Sequence, residues 1–200
     1  MARLAWVAAA AALVSMLASF ASAQSSGGDD ILEQVINSPP VQSWQVTGLR
    51  ATPRPVRAEG VVGEQAIRVA VPRAGANPWD IAGRMTIAGA IRQGDTILLA
   101  VWARAHTPPE GQRFGLISGV RVEQSTAPYT AIAQDSATVP SEWTLVYASG
   151  VAQQDYPGGS TNVSVHLAGA AQTIELGPAF VLNFGPDYDA ARLPRNVAPE

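Results

Sequence analysis

The chain has 200 residues, no cysteine, 13 basic residues that are all arginine, and a formal net charge of −3. These values exclude disulfide stapling, thiol chemistry and lysine Schiff bases, and the mild acidity argues against a nucleic-acid partner. A single domain must therefore be held by its apolar core.

Residues 1–23 begin with one positive charge, Arg3, continue in an apolar run from Leu4 to Phe20, and end in Ala21-Ser22-Ala23. A charged start, an apolar middle and a small-residue exit are the parts of a secretory signal peptide. Cleavage before Gln24 leaves 177 residues, enough for one sandwich-sized domain, and shifts the net charge to −4, because Arg3 leaves and no acid does. The expected location is secreted or periplasmic. No second long apolar segment follows, so the mature chain is not expected to span a membrane.

Residues 24–36 read as a polar linker (Gln24 to Asp30) and a short N-terminal element, helix or first strand, stopped by Pro39-Pro40. Val41 to Leu49 is predicted as a strand, Thr52 to Arg57 as a Pro- and Arg-containing connection, and Glu64 to Val71 as an alternating strand ended by Pro72. From Asn77 to Ala105 the pattern gives one strand, a tight turn at Gly94-Asp95, and a second strand with period-two alternation. Leu98, Ala100, Trp102 and Arg104 fall on one face of that second strand; Ile97, Leu99, Val101 and Ala103 fall on the other. A face carrying Trp and Arg suits a sheet whose outer surface binds something. Phe114 to Val122 follows, with Gly115 and Gly119 marking bulges or close backbone approach. Tyr129 to Ala133, Thr144 to Ala152, Asn162 to Leu167 and Thr173 to Phe184 complete the strands, and Gly158-Gly159-Ser160 reads as a hairpin turn. About nine or ten short antiparallel strands with turn signals predict an all-β chain, a single jelly-roll sandwich over 37–185 with an irregular tail over 186–200. A barrel of similar strand count reads the same way.

Enzymatic motifs are missing. There is no G-x-S-x-G elbow, no H-E-x-x-H and no histidine cluster, and Glu110, Glu123, Asp135 and Glu142 read as solvated acids among turns. A non-enzyme is expected.

Three segments in order, VVGEQAIRVAVPRAGANPWDIAG, IRQGDTILLAVWARA and SEWTLVYASGV, resemble the carbohydrate-binding modules of the family 4 and 9 type, among the galactose-binding-like jelly rolls. In that family an "a-l-r-v" strand precedes a Trp-containing loop. A "G-x-x-Y-x-x-x-F-x-A-R/K-A" strand and a strand opened by Trp come next. Gln65 to Val71, Trp79, Gly94 to Ala105 and Trp143 to Gly150 occupy those places, and the resemblance runs from Asn37 to Phe184. It implies a non-catalytic module for a poly- or oligosaccharide, acting alone or beside a separately encoded enzyme or envelope protein, with the tail from Gly185 as a docking segment. The family's final strand carries an acidic "D-D-V" segment that helps hold a structural calcium. This chain has Leu176 to Leu182 there, with only Glu175 nearby, while Asp29 and Asp30 read as linker solvation; no cofactor is expected.

A sugar site needs an aromatic plane for the apolar face of a pyranose and fixed polar groups for its hydroxyls. The candidates are Trp79 in its Pro-flanked loop; Trp102 and Arg104, the latter able to fork onto vicinal hydroxyls or a uronate; His106 and Arg113 beyond that strand; and Tyr129 beside Pro128. Each also has a plainer reading. Trp102 would pack in the core, Arg104 would pair with an acid such as Glu123, and His106 would be a loop residue. Trp44 and Trp143 read as core or edge residues, and His166 as a satisfied strand histidine. The other class of function open to this fold is a protein-interaction or assembly domain of the cell envelope.

Overall fold

The computed structural model describes residue 31 and residues 33–48 and 52–197. The leader and polar linker read from residues 1–30 lie outside that range. Eleven strands form two antiparallel sheets: β1 (Val35–Asn37), β2 (Gln45–Thr47), β3 (Thr52–Arg57), β4 (Gln65–Val71), β5 (Ala82–Ile87), β6 (Thr96–Thr107), β7 (Gly115–Gln124), β8 (Ala131–Val139), β9 (Thr144–Val151), β10 (Thr161–His166) and β11 (Gln172–Asn183). One sheet, A, runs β3-β4-β11-β6-β9, with β1 also paired to β11; the other, B, runs β2-β5-β10-β7-β8. The strand count and the jelly-roll sandwich agree with the sequence pattern, which alone did not separate a sandwich from a barrel.

Alternation builds the core. Ile97, Leu99, Val101, Ala103 and Ala105 of β6 point between the sheets and meet Met85, Ile87, Ile117, Val163 and Val165 of sheet B. Trp44 seals one end of this layer, donating its indole N–H to the Gly177 carbonyl at 2.8 Å. Three side-chain amides then stitch the layers together. Asn37 donates to the Thr86 carbonyl and accepts from the Ala88 N–H. Gln172 of sheet A exchanges two hydrogen bonds with the Leu116 backbone of sheet B. Asn196, in the tail, occupies both backbone groups of Tyr147 on β9 and donates to the Asp135 carboxylate and the Ser136 carbonyl on β8. Each amide supplies the donor and acceptor that an edge or a bulge would leave unpaired.

Several elements differ from the sequence reading. Thr52–Arg57 is a strand and not a connection; it is the end strand of sheet A, where prolines are tolerated. Val41–Ser43 is a single 3-10 turn, and only Gln45–Thr47 pairs as strand. The turn at Arg92–Asp95 is tight, with Gly94 at φ +89°, but it carries the chain from sheet B to sheet A and joins no hairpin. Gly158-Gly159-Ser160 likewise turns between sheets, from β9 to β10. Local turn chemistry was legible; which sheet receives the next strand is a tertiary outcome.

Among its described residues the tail has no strand. Its single 3-10 turn, Ala190–Arg192, brings Leu193 onto the outside of sheet A, where Phe184 and Tyr188 also pack. Among the described residues no helix is long and apolar enough to cross a membrane.

Candidate functional site: the outer face of the five-stranded sheet

The outer side of sheet B is polar, and the strand register explains how. Gln45, Arg84, Ser164, Arg121 and Gln134 stand in one row across β2, β5, β10, β7 and β8. Two residues along, Thr47, His166 and Gly119 form a second row; two residues the other way, Thr86, Asn162 and Glu123 form a third. Rows two residues apart on a strand are separated by about 7 Å, so the three rows extend over about 14 Å.

An exposed aromatic ring stands at each end. Trp79, 52% exposed, sits in the turn Pro78–Asp80 with its ring edge-on to His166, centroids 6.1 Å apart. That turn is rigid. Asp80 accepts from the Asn77 N–H at 3.0 Å, a bond that holds its carboxyl below the usual carboxylate range, and from the Asn77 side chain. Backbone bonds from Gly75 and to Pro78 tie it to Ala168, just past β10. At the opposite end Tyr129, 44% exposed, lies under the Arg84 guanidinium, 5.7 Å from its ring centre, and its carbonyl accepts from Arg121. Between Trp79 and the β7–β8 edge lies an open depression of about 420 Å³ lined by Ser118, Arg121, Gln134 and His166.

The electrostatics follow from burial. His166 is pushed down to about 4, first by burial and then by the charges of Arg121 and Arg84, so it is neutral at pH 7. Its ring lies over Gly119, where a Cβ would come within 2.7 Å of Nδ1. Burial pushes the Glu123 carboxyl up, opposed by the Arg121 charge. Arg121 Nε stands 3.0 Å from Glu123 Oε2, an ion-pair contact too bent for a hydrogen bond. Ser164 Oγ faces the same carboxylate at the margin of hydrogen-bond geometry and favours its charged form. Arg84 has no ion-pair partner among the described residues. Three neighbours of the central row, Arg84 (Nε), Ser164 (Oγ) and Arg121 (Nε), thus each hold a buried polar atom with no hydrogen bond. Native interiors contain few such atoms, and three side by side on a surface row want a partner.

The sequence-derived candidates divide between the two sides of the sandwich. Trp79 and Tyr129 flank the face just described. Trp102, Arg104 and His106 lie on the outside of sheet A, and that face is not the open surface the strand pattern suggested. Trp102 is 6% exposed, packed with Leu98, Ala100, Phe180 and Val61 and bordered by tail residues. Arg104 pairs with Glu175 and not with Glu123: Glu175 is fully buried, receiving Arg104 Nε at 2.6 Å and Arg68 at 2.7 Å, with His106 Nδ1 at 3.8 Å. Arg104 also lies over the Trp143 ring at 4.8 Å. Arg113 is exposed in the β6–β7 loop, against Phe114. Both Glu175 oxygens are thereby committed to guanidinium groups, and no three metal-ligating side chains gather among the described residues. The residues at the family's calcium segment do not fit that ion.

Arg84, Arg121, Ser164, Gln134 and His166 were missed because no motif marks them. Each is a polar residue alternating with aliphatic ones on a strand, as in VSVHL and VRVE, a pattern that half-exposed strands share. The register across five strands collects them.

Clefts also lie along the edge formed by β3, β4 and the Val41–Ser43 turn, the larger about 690 Å³. The larger is walled by prolines and aliphatic groups together with Gln42, Arg57, Glu64 and Gln65, and neither presents an exposed aromatic plane.

Comparison with solved structures bears on this geometry. A CBM4 module superposes with a TM-score of 0.52 at 22% identity, covering 71% of this chain and 95% of that one. The fold is the jelly roll of carbohydrate-binding modules. The CBM22-1 xylan-binding domain of Xyn10C from Paenibacillus barcinonensis gives 0.54 at 10% identity, covering 76% and 95%. The second N-terminal cellulose-binding domain of Cellulomonas fimi β-1,4-glucanase C gives 0.53 at 20%, covering 76% and 92%. Neither a family model nor a curated protein sequence matches the chain. The resemblance read from the sequence is thus borne out in the fold.

Proposed function

We propose that this protein is an exported, non-catalytic carbohydrate-binding module that takes a poly- or oligosaccharide across the outer face of sheet B. The observation that carries the reading is the polar row Gln45–Arg84–Ser164–Arg121–Gln134, set between the exposed rings of Trp79 and Tyr129. A pyranose offers an apolar C–H face to Trp79 or Tyr129, and its hydroxyls meet donors and acceptors already fixed by the sheet. Strand-borne side chains lose little freedom on binding, which favours affinity from a shallow site. The solved structures with this fold support the same class of ligand, two of them being named for binding xylan and cellulose.

Export rests on the N-terminal apolar segment and its small-residue exit. A separately encoded enzyme is the natural companion of a module that binds sugar without altering it. The one acid buried in the face, Glu123, is engaged with Arg121, which suits a binding role. For an assembly domain a broad exposed aliphatic patch is wanted; among the described residues the exposed large aliphatic side chains are Val151 and Val197, one on a strand and one in the tail.

The test is a glycan array containing xylan-, cellulose- and uronate-derived oligosaccharides, probed with the protein and with Trp79→Ala. Binding to one sugar class, lost in the variant, supports the module. A blank array from well-folded protein refutes it and favours a protein partner.

A further inference from the structure

We infer that the ligand is an acidic sugar, with a uronate carboxylate seated on the central row between Arg84 and Arg121. This rests on the proposed sugar-binding role of the face and narrows the ligand to one chemical class.

Arg84 and Arg121 flank Ser164 in register, so their side chains rise from β5 and β7 on either side of the central β10. Arg84 has an Nε with no hydrogen-bond acceptor; Arg121 Nε meets Glu123 Oε2 as a bent ion-pair contact, and the buried Ser164 hydroxyl faces the same carboxylate. A sugar hydroxyl could satisfy one of these groups. A carboxylate satisfies two cationic donors at once, and charge-assisted bonds of this type are about twice as strong as neutral ones.

Charge gives the second step. The groups facing this row are Arg84 from β5, Arg121 and Glu123 from β7, His166 from β10, and Asp135 at the rim on β8, where Asn196 occupies one of its oxygens. Glu123 neutralises Arg121 at 3.0 Å, and His166 is uncharged at neutral pH. Arg84 makes no ion-pair contact among the described residues and is held over Tyr129, with the Glu123 carboxylate acting on it from longer range. On sheet A, Arg68 and Arg104 are both bonded to the buried Glu175, and Arg54 stands at the exposed end of that row. Trp79, one row beyond, would stack the neighbouring sugar.

The experiment measures affinity for a uronic-acid polysaccharide, glucuronoxylan or polygalacturonate, and for the same polymer after its carboxyl groups are reduced to primary alcohols. Wild type, Arg84→Gln and Arg84→Lys are compared, with circular dichroism confirming that each is folded. The expected result is a loss of tenfold or more on carboxyl reduction, a preference abolished in Arg84→Gln, and partial retention in Arg84→Lys. The native polymer should also bind more weakly at high salt, and the reduced one should not. Equal affinity for native and reduced polymer overturns the acidic-sugar inference and leaves the sugar-binding role standing. Failure to bind either polymer, or any neutral glycan, removes the proposed function and the inference with it.

Discussion

The two outer faces of the sandwich are built from similar parts and end in opposite states. Each presents a row of polar side chains that includes arginines and has aromatic side chains beside it. On sheet A most of the row is closed: the buried Glu175 takes the guanidinium groups of Arg68 and Arg104, Trp102 is buried and Trp143 lies under Arg104, while Arg54 at the β3 end of the row stays exposed and the Trp143 indole N–H has no partner. On sheet B the row is open: among the described residues Arg84 has no ion-pair partner, and Trp79 and Tyr129 stand in solvent. Polar groups that have found partners inside the protein contribute to stability, and those left waiting are available to a ligand. The contrast predicts that changes on sheet A act on stability and changes on sheet B act on binding.

The largest stability effect should come from Trp102→Ala, which empties the middle of the sheet A cluster. A loss of about 3–5 kcal/mol is expected for a buried tryptophan, read by chemical denaturation, with sugar affinity unchanged in the folded fraction. Next is Glu175→Gln, which strands Arg68 and Arg104 beside a neutral amide. Removing one member of a buried pair costs about 3–5 kcal/mol, and partial solvation of the two arginines brings the expectation down to about 2–3. If Glu175→Gln instead abolished sugar binding without destabilising the fold, the assignment of roles to the faces would be reversed.

The third prediction concerns pH. The folded state holds His166 at about 4, below the ordinary 6.5 of an unfolded histidine. The unfolded chain therefore takes up a proton first as pH falls, and stability declines from about 6.5 downward until the folded His166 also protonates near 4. The decline should amount to about 3 kcal/mol at most. Glu123 acts with opposite sign. Its folded carboxyl is raised, so the cost of keeping it charged is relieved as pH falls through that raised value toward the ordinary 4.5. Stability measured against pH for His166→Asn should lose the decline and expose the Glu123 gain. An unchanged profile would show that His166 is not buried neutral.

The smallest stability effect belongs to Trp79→Ala. Half its surface is exposed, and the turn that carries it is held by Asn77 and Asp80 rather than by the ring. A change within about 0.5 kcal/mol is expected by denaturation, as for surface substitutions generally, against a loss of sugar affinity of tenfold or more.

The sequence made the strands legible because polar and aliphatic residues alternate in β10, β6 is an apolar run behind a turn, and Gly94 marked a turn that the structure contains. It also singled out Trp79 and Tyr129, aromatic residues beside proline that prove exposed, whereas Tyr156, beside Pro157, is buried. It did not reveal that Trp102 is covered. The residues Trp102 clusters with include Val61 and Phe180, about 40 and 80 positions away, so their meeting carries no local signal. The polar row was hidden for a related reason. Gln45, Arg84, Arg121, Gln134 and Ser164 are scattered over 120 residues, and only strand order and register bring them into line. Arg104 was assigned the wrong partner because a sequence names acids and arginines without stating which share a sheet.

The account's central claim, that sugar binds on sheet B and not on sheet A, is tested most directly by the indole N–H signals of the tryptophans in a ¹H–¹⁵N spectrum. A saccharide identified on the array is titrated in, and the Trp79 signal is assigned by Trp79→Phe. The account predicts that Trp79 shifts with the ligand while Trp102 and Trp143 stay in place. Movement of Trp102 or Trp143 with an unmoved Trp79 would contradict it.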